Sequence, residues 1–387
     1  MSDEFTEVSS QGWLSRIGSS IKGIFFGLIL FVVGFPLLFW NEGRAVDRMQ
    51  TLEEGGGAVI SVGSDSVVPG NNGQLVHVSG LATTDETLQD VTFAVQALGL
   101  KLKRSVSMYQ WKEEEDTQKQ KELGGSEKTI TTYRYEKTWS SQQIDSSGFK
   151  KSGYNNPHSM AHSSRSFQAK HITVGAFLLP ESLVSKIDQY ERLDVSANAL
   201  PNGLGKAIQL LDGGYYMGNN PSQPDIGDLK VSFSVIRPTQ VSLVAQQQDD
   251  SFQPYQTRVG GTINLLQGGM VNAQAMFEKA QDDNETLTWI LRLVGFVVMA
   301  MGLAMVLKPL SVVADIVPFI GNIVGAGTGF IAFVLAAISA LSTIAVAWIM
   351  YRPLIGGVLL LAVVGFIWMG KRKISSAASA RTVTQAP

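Results

Sequence analysis

Hydrophobic and polar positions are segregated along this chain. From Ile21 to Trp40 the run IKGIFFGLILFVVGFPLLFW carries one charge, Lys22, at its margin. A helix rising 1.5 Å per residue needs about 20 apolar residues to cross a hydrocarbon core of ~30 Å, so the run predicts a transmembrane helix. Pro36 is tolerable because it sits close to the exit end. Asn41, Glu42, Arg44, Asp47 and Arg48 then arrive within eight positions. No small-x-small cleavage site follows, so the run reads as a retained anchor and not a cleaved signal peptide.

Two further apolar runs have spanning length. Trp289–Leu307 forms one, with Arg292 a turn inside and able to snorkel outward. Leu354–Gly370 forms the other, closed by Lys371, Arg372 and Lys373. Between Lys308 and Arg352 lie 43 residues with a single charge, Asp315. They are too many for one span and could suggest two, and sidedness decides. Basic residues favour the cytoplasm, and only four spans place Arg16 and Lys22 on the same side as Lys371–Lys373. The expected order is a cytoplasmic segment 1–20, a first span 21–40, a large extracytoplasmic block 41–288 and a second span 289–307. An interfacial or re-entrant segment 308–322 follows, broken at Pro318 and Gly321, then spans 323–350 and 354–370 and a cytoplasmic tail 371–387.

The block 41–288 alternates with the period of strands. Candidates are 58–62, 75–83, 105–111, 131–139, 171–179, 228–236, 241–247 and 261–268. In YRYEKTW, Tyr133, Tyr135, Lys137 and Trp139 share one face, as in a half-exposed antiparallel strand. The charged link between 111 and 131 contains Gly124-Gly125, which predicts a long twisted hairpin with a solvated tip. Tyr109, Trp111, Tyr133, Tyr135 and Trp139 would give it an aromatic face, core or partner surface, with core preferred. A helix is expected over 181–193, and another over 272–289 running without a break into the second span. Residues 140–166, rich in Ser, Gly and Asn, read as a loop or mobile flap. The fold class is α+β: four transmembrane helices and a large extracytoplasmic mixed domain rich in antiparallel strands.

Composition then removes whole classes of function. Lys and Arg number 31 against 33 acidic residues, so whole-chain charge makes no case for nucleic acid. There is no cysteine, hence no disulfide, thiolate metal site or Cys nucleophile. His158 and His162 have helical zinc-pair spacing, but no Glu lies between them and no third ligand is evident. His77 and His171 sit in strand runs and read as structural. The glycines at 55–57 follow Glu53 and Glu54 and lack the Lys-Ser/Thr of a phosphate loop, so a flexible juxtamembrane turn is preferred. No G-x-S-x-G elbow occurs. Nothing requires an enzyme, a metal or a cofactor.

Three sets of positions stand out instead. Asn41, Glu42, Gly43 and Arg44 form a membrane junction, where Glu42 and Arg44 can pair with each other or with the 272–289 helix. Asp315 reads as an ion or proton site, or preferably as a wetted residue on an interfacial helix. Gly321, Gly325 and Gly329, extended by Ala332, Ala336 and Ala340, present a stripe of small residues for close helix packing, within the chain or between copies.

NEGRA at 41–45, MYQW at 108–111, Asn156-Pro157, GDLKVSFS at 227–234 and YRPL at 351–354, in that order and spacing, resemble the LUMA (transmembrane protein 43) family. The resemblance covers nearly the whole chain. It implies four spans, a luminal or periplasmic central domain and no established catalytic residues. It also implies self-association and the organisation of other membrane proteins, in animals at the endoplasmic reticulum and inner nuclear membrane. The expected function is therefore a non-enzymatic, self-associating membrane scaffold in the lipid bilayer, its protein partners unspecified. The alternatives are a channel or transport component around Asp315 and Pro318, and a periplasmic hydrolase of unrecognised design.

Overall fold

The structure, a computed structural model, describes residues 4–195 and 207–352. The span expected over 354–370 and the tail 371–387 lie outside the described residues. The chain separates into two units. One is β-rich and comprises Met1–Ser10, Thr51–Gln120 and Lys128–Ala280. The other is helical, from Gln11–Gln50, Lys121–Glu127 and Gln281–Pro387.

In chain order the strands are β1 (Glu4–Gln11), β2 (Ile60–Val62), β3 (Leu75–Thr83), β4 (Thr87–Asp90), β5 (Val95–Leu98), β6 (Lys101–Lys121) and β7 (Glu127–Ser140). There follow β8 (Arg165–Gln168), β9 (Thr173–Val174), β10 (Phe177–Leu178), β11 (Glu191–Leu193), β12 (Ile208–Leu211) and β13 (Gly214–Met217). The last are β14 (Leu229–Ile236), β15 (Thr239–Gln248), β16 (Ser251–Gln253), β17 (Tyr255–Gln256), β18 (Thr262–Ile263) and β19 (Leu265–Gly268). The helices are α1 (Trp13–Ala58), α2 (Glu181–Val184), α3 (Ala273–Ala314) and α4 (Pro318–Tyr351).

Two sheets build the β-rich unit. One has the order β1-β7-β6-β14-β13-β12, with β8 on β6 and β11 on β14. The other runs β10-β9-β3-β15-β16, with β19 on β15 and β2 on β3. Register places apolar residues opposite one another. Met108 faces Leu229, Val106 faces Val231 and Leu102 faces Val235 across β6 and β14, all buried in the main core. In the second sheet Val78 faces Leu243 and Val76 faces Ala245. Alternate residues of each strand thus line one face, as strand geometry requires. Phe93, Tyr215 and Phe233 pack at ring separations of 6.0–6.2 Å within the core.

The expected hairpin is β6 and β7, turned through Gly124 and Gly125 with φ near +88° and +81°. That left-handed backbone is what glycine supplies without steric cost. Buried and half-buried positions alternate along β6 from Arg104 to Trp111, and from Glu114 to Gln120 the strand is exposed. Of the aromatic face, Tyr133 is buried, while Tyr109, Trp111, Tyr135 and Trp139 are half-buried. They form a layer roofed by the 140–166 stretch. Tyr154 stacks on Tyr135 at 4.0 Å and meets Trp111 edge-on at 4.7 Å.

That stretch is tied down where a flap was expected. The Asn156 side chain donates to the Trp111 and Ile144 carbonyls and accepts from the Trp111 N–H at 2.7 Å. One amide thereby replaces a missing strand neighbour. The helix expected over 181–193 is also corrected. Only the single turn α2 forms, and residues 191–193 become β11, pairing Leu193 with Phe233. Leu183 buries from that turn and Ile187 from beyond it, without a longer helix, because the sheet edge offers more partners than an isolated turn can.

β1 pairs with β7, with Phe5 stacked on Tyr133 at 6.0 Å and Arg134 bonded to Glu4. Strands in hydrogen-bonding contact occupy one compartment.

In the helical unit α1 does not end at Trp40. It continues through the NEGR stretch to Ala58, so Gly55–Gly57 are helical and not the expected flexible turn. α3 is unbroken from Ala273 to Ala314, joining the 272–289 region to the apolar run as expected. α1 and α3 touch backbone to backbone at Gly27 and Gly302, where a Cβ on either would stand 2.6 Å from the other's carbonyl oxygen. The break expected within 308–322 is three residues long, Asp315–Val317. Pro309 lies inside α3 and Pro318 opens α4, a position where its missing N–H costs nothing.

Candidate functional site

At the head of the bundle, the carboxylate of Glu42 on α1 accepts from Arg292 Nε at 2.7 Å and Nη2 at 2.8 Å, and from Trp348 Nε1 at 2.8 Å. One buried carboxylate thus joins α1, α3 and α4. Arg292 does not snorkel. It is bidentate to Glu42, with its guanidinium over the Trp289 ring at 4.7 Å and near Trp348 at 5.7 Å. A fully desolvated carboxylate is tolerable only with such partners.

A second set runs beside it. Arg44 donates to Asn284 Oδ1 at 2.9 Å, Thr288 Oγ1 at 2.9 Å and Asn41 Oδ1. Asn41 donates to the Thr288 carbonyl, and Asn284 to the Ala45 carbonyl at 3.0 Å. Gly43 faces the Tyr351 ring, where a Cβ would come within 2.7 Å. The structure therefore brings all four junction residues into contact with α3 or α4. Of the two expected pairings, Arg44 takes the one with the 272–289 helix, through Asn284 and Thr288, while Glu42 bonds further along to Arg292 and Trp348. The charges visible in the sequence do not reveal Asn284, Thr288 and Trp348, which look like ordinary helix residues there.

At the opposite end of the helical unit, Asp315 is 1% exposed and not wet. It accepts from Arg16 Nη2 at 2.6 Å and Lys121 Nζ at 2.7 Å. Arg16 also lies 3.2 Å from Glu127, and Lys121 reaches Asn322. Trp13 donates to the Val312 carbonyl at 2.9 Å. Asp315 thus has two cations, both distant in sequence, in place of the headgroup water expected for it.

The glycine stripe divides. Gly321 packs on Asp315 with no room for a Cβ, Gly325 makes an ordinary contact with Ser311, and Gly329 has open space. Ala332, Ala336 and Ala340 are buried within the chain. His158 and His162 are not brought together. His162 packs edge-on against Phe93 at 5.1 Å, and Gln143 bonds to the His158 carbonyl. Among the described residues no group of His, Asp and Glu is arranged to hold a metal. His77 is a satisfied strand residue, bonded to Ser61 and to the Val271 carbonyl. A buried ion pair that the sequence did not signal, Asp90 with Arg104 at 2.7 Å, is part of the β-rich core and also accepts the N–H groups of Thr92 and Phe93.

α1, α3 and α4 are each long and apolar enough to cross a membrane. The family model for transmembrane protein 43 matches residues 108–353. Transmembrane protein 43 of Mus musculus is 34% identical over 368 residues, covering 91% of this chain and 90% of its own. The Homo sapiens protein of that name is 35% identical over 360 residues, covering 89% and 88%. The Drosophila melanogaster homolog is 31% identical over 362 residues, covering 90% and 94%. No solved structure matches. With its apolar helices, its polar junction and this similarity along nearly its whole length, the chain belongs to the transmembrane protein 43 family.

Proposed function

We propose that this protein is a non-enzymatic membrane scaffold that associates with itself and organises complexes of other membrane proteins. The observation that carries the reading is how the polar groups of the bundle are used. Glu42, Arg292, Asn284, Thr288 and Trp348 bond to neighbouring helices and brace them, in place of surrounding a reacting centre. Gly329, with open space beside it, leaves α4 a surface that a second copy can approach closely. In a eukaryotic cell the same role would serve the endoplasmic reticulum and the nuclear envelope.

The test is mass measurement of the intact protein in mild detergent. A defined oligomer that falls to monomer in Gly329→Leu, with thermal stability retained, supports the scaffold. A wild-type protein that is monomeric at all concentrations overturns it.

The positions of Arg16, Lys22 and Lys371–Lys373 support cytoplasmic termini, with residues 41–288 in the periplasm or lumen. The β1–β7 pairing favours a second arrangement, in which residues 4–11 and the central block share one face. The cysteine-free sequence allows single cysteines at Ser9 and Ser126 to decide. Labelling of the two from opposite sides supports the first arrangement, and from the same side the second.

A further inference from the structure

The junction contains a cavity of about 330 Å³ between α1, α3 and the end of α4. Its wall includes Asn284, Glu285, Trp289, Arg292, Trp348 and Arg352. Two features, one in that wall and one directly behind it, are unexplained by the bracing described above. The Arg352 Nε is buried without a hydrogen-bond partner, and its side chain makes no ion pair among the described residues. The Arg44 Nε is likewise buried and unpartnered, on the guanidinium whose other nitrogens bond to Asn284 and Thr288 of the same wall. Buried guanidinium donors rarely stay unpaired, because each forfeits its hydration without recompense.

The charge balance gives the sign of the missing group. Arg292 is neutralised by Glu42. That leaves Arg352 in the wall, and Arg44 bonded to the wall from behind through Asn284 and Thr288, against Glu285, an exposed carboxylate: an excess of one positive charge around the cavity. The guanidinium fork matches the oxygens of a phosphate, the anion that every phospholipid headgroup carries.

The level of the cavity supplies the source. Trp40, Trp289 and Trp348 lie where the apolar runs of α1, α3 and α4 give way to polar residues, and Trp40 and Trp289 are more than half exposed. Tryptophan gathers at the headgroup level of a bilayer, so the cavity opens beside lipid phosphates.

We propose that this cavity binds the phosphate of a net-anionic phospholipid, held by Arg352 between Trp289 and Trp348, with the Arg44 charge behind the wall. The site would fasten one lipid between the ends of three helices. It requires only that the helices lie in a bilayer, and is independent of the scaffold reading.

The experiment uses the full chain in detergent, exchanged against phosphatidylglycerol, phosphatidylcholine or inorganic phosphate, with bound lipid counted by native mass spectrometry. One phosphatidylglycerol per chain should be retained through delipidation that removes phosphatidylcholine. Arg352→Gln should weaken retention about tenfold, the scale of a lost charge-assisted hydrogen bond, and Arg352→Lys by less. Glu285→Gln should strengthen it. Because Arg352 makes no side-chain bond among the described residues, its variant should melt with wild type, so a loss of binding is not a loss of fold. Equal retention of both lipids, or indifference to Arg352→Gln, would overturn the proposal. So would displacement of phosphatidylglycerol by inorganic phosphate at equal concentration, since the site would then take the free anion.

Discussion

Single residues decide most in this protein where charge is buried. Asp90 and Arg104 are both nearly inaccessible, and the pair stacks against Phe93, with the guanidinium 5.0 Å from the ring. Asp90→Ala would leave a buried guanidinium without its carboxylate, and should cost about 3–5 kcal/mol of the β-rich unit's stability. The urea midpoint followed by near-ultraviolet dichroism checks this, and a change under about 1 kcal/mol would contradict it. His162 gives a prediction in pH. Burial against Phe93, and secondarily the Arg104 charge, lower its proton affinity below the ordinary value. The unfolded chain therefore binds the proton more readily. The contribution is fully present above about pH 6.5, the unfolded value, and is lost as pH falls from there through the lower folded value. The midpoint should drop between pH 7.5 and 5.5, and His162→Gln should shrink that drop. Tyr135, held up to about 12 by burial and its bond to Glu113, stays neutral throughout.

Elements show where sequence patterning suffices and where it fails. Alternation made β6 and β14 legible because each buries every second residue, whereas β3 and β15, buried in runs at Leu75–Val78 and Val241–Ala245, are legible as short apolar runs of strand length. It missed β1, whose residues are all exposed, and β12 and β13, where GYYM is buried throughout and shows no alternation. The α2 error came from reading a stripe at helical spacing in a segment that also suits a sheet edge. In the bundle the decisive contact is Gly27 against Gly302, and two lone glycines 275 positions apart carry no shared signal. Gly302→Leu should force α1 from α3 and lower the melting temperature in detergent by several degrees, given overpacking costs of about 1–3 kcal/mol. The same substitution at Gly329, with free space around it, should leave that temperature unchanged.

For the whole molecule, the apolar runs were readable because membrane solvation imposes length and composition together. The partners of Asp315 were not, since Arg16 and Lys121 lie 299 and 194 positions away and only the folded chain joins them. Replacing Asp315 by Asn should loosen the turn at Lys121–Glu127 from α1. Proteolysis of the intact protein near Lys121 should then accelerate, while the melting of the β-rich unit holds.

β1 is the outermost strand of its sheet, covering β7. A chain trimmed by its first dozen residues would present β7 with an uncapped row of amides and carbonyls, a template on which a neighbouring molecule's strand can be donated. Shortened preparations would then clump through that scar, and their stoichiometry would describe the truncation instead of the native protein.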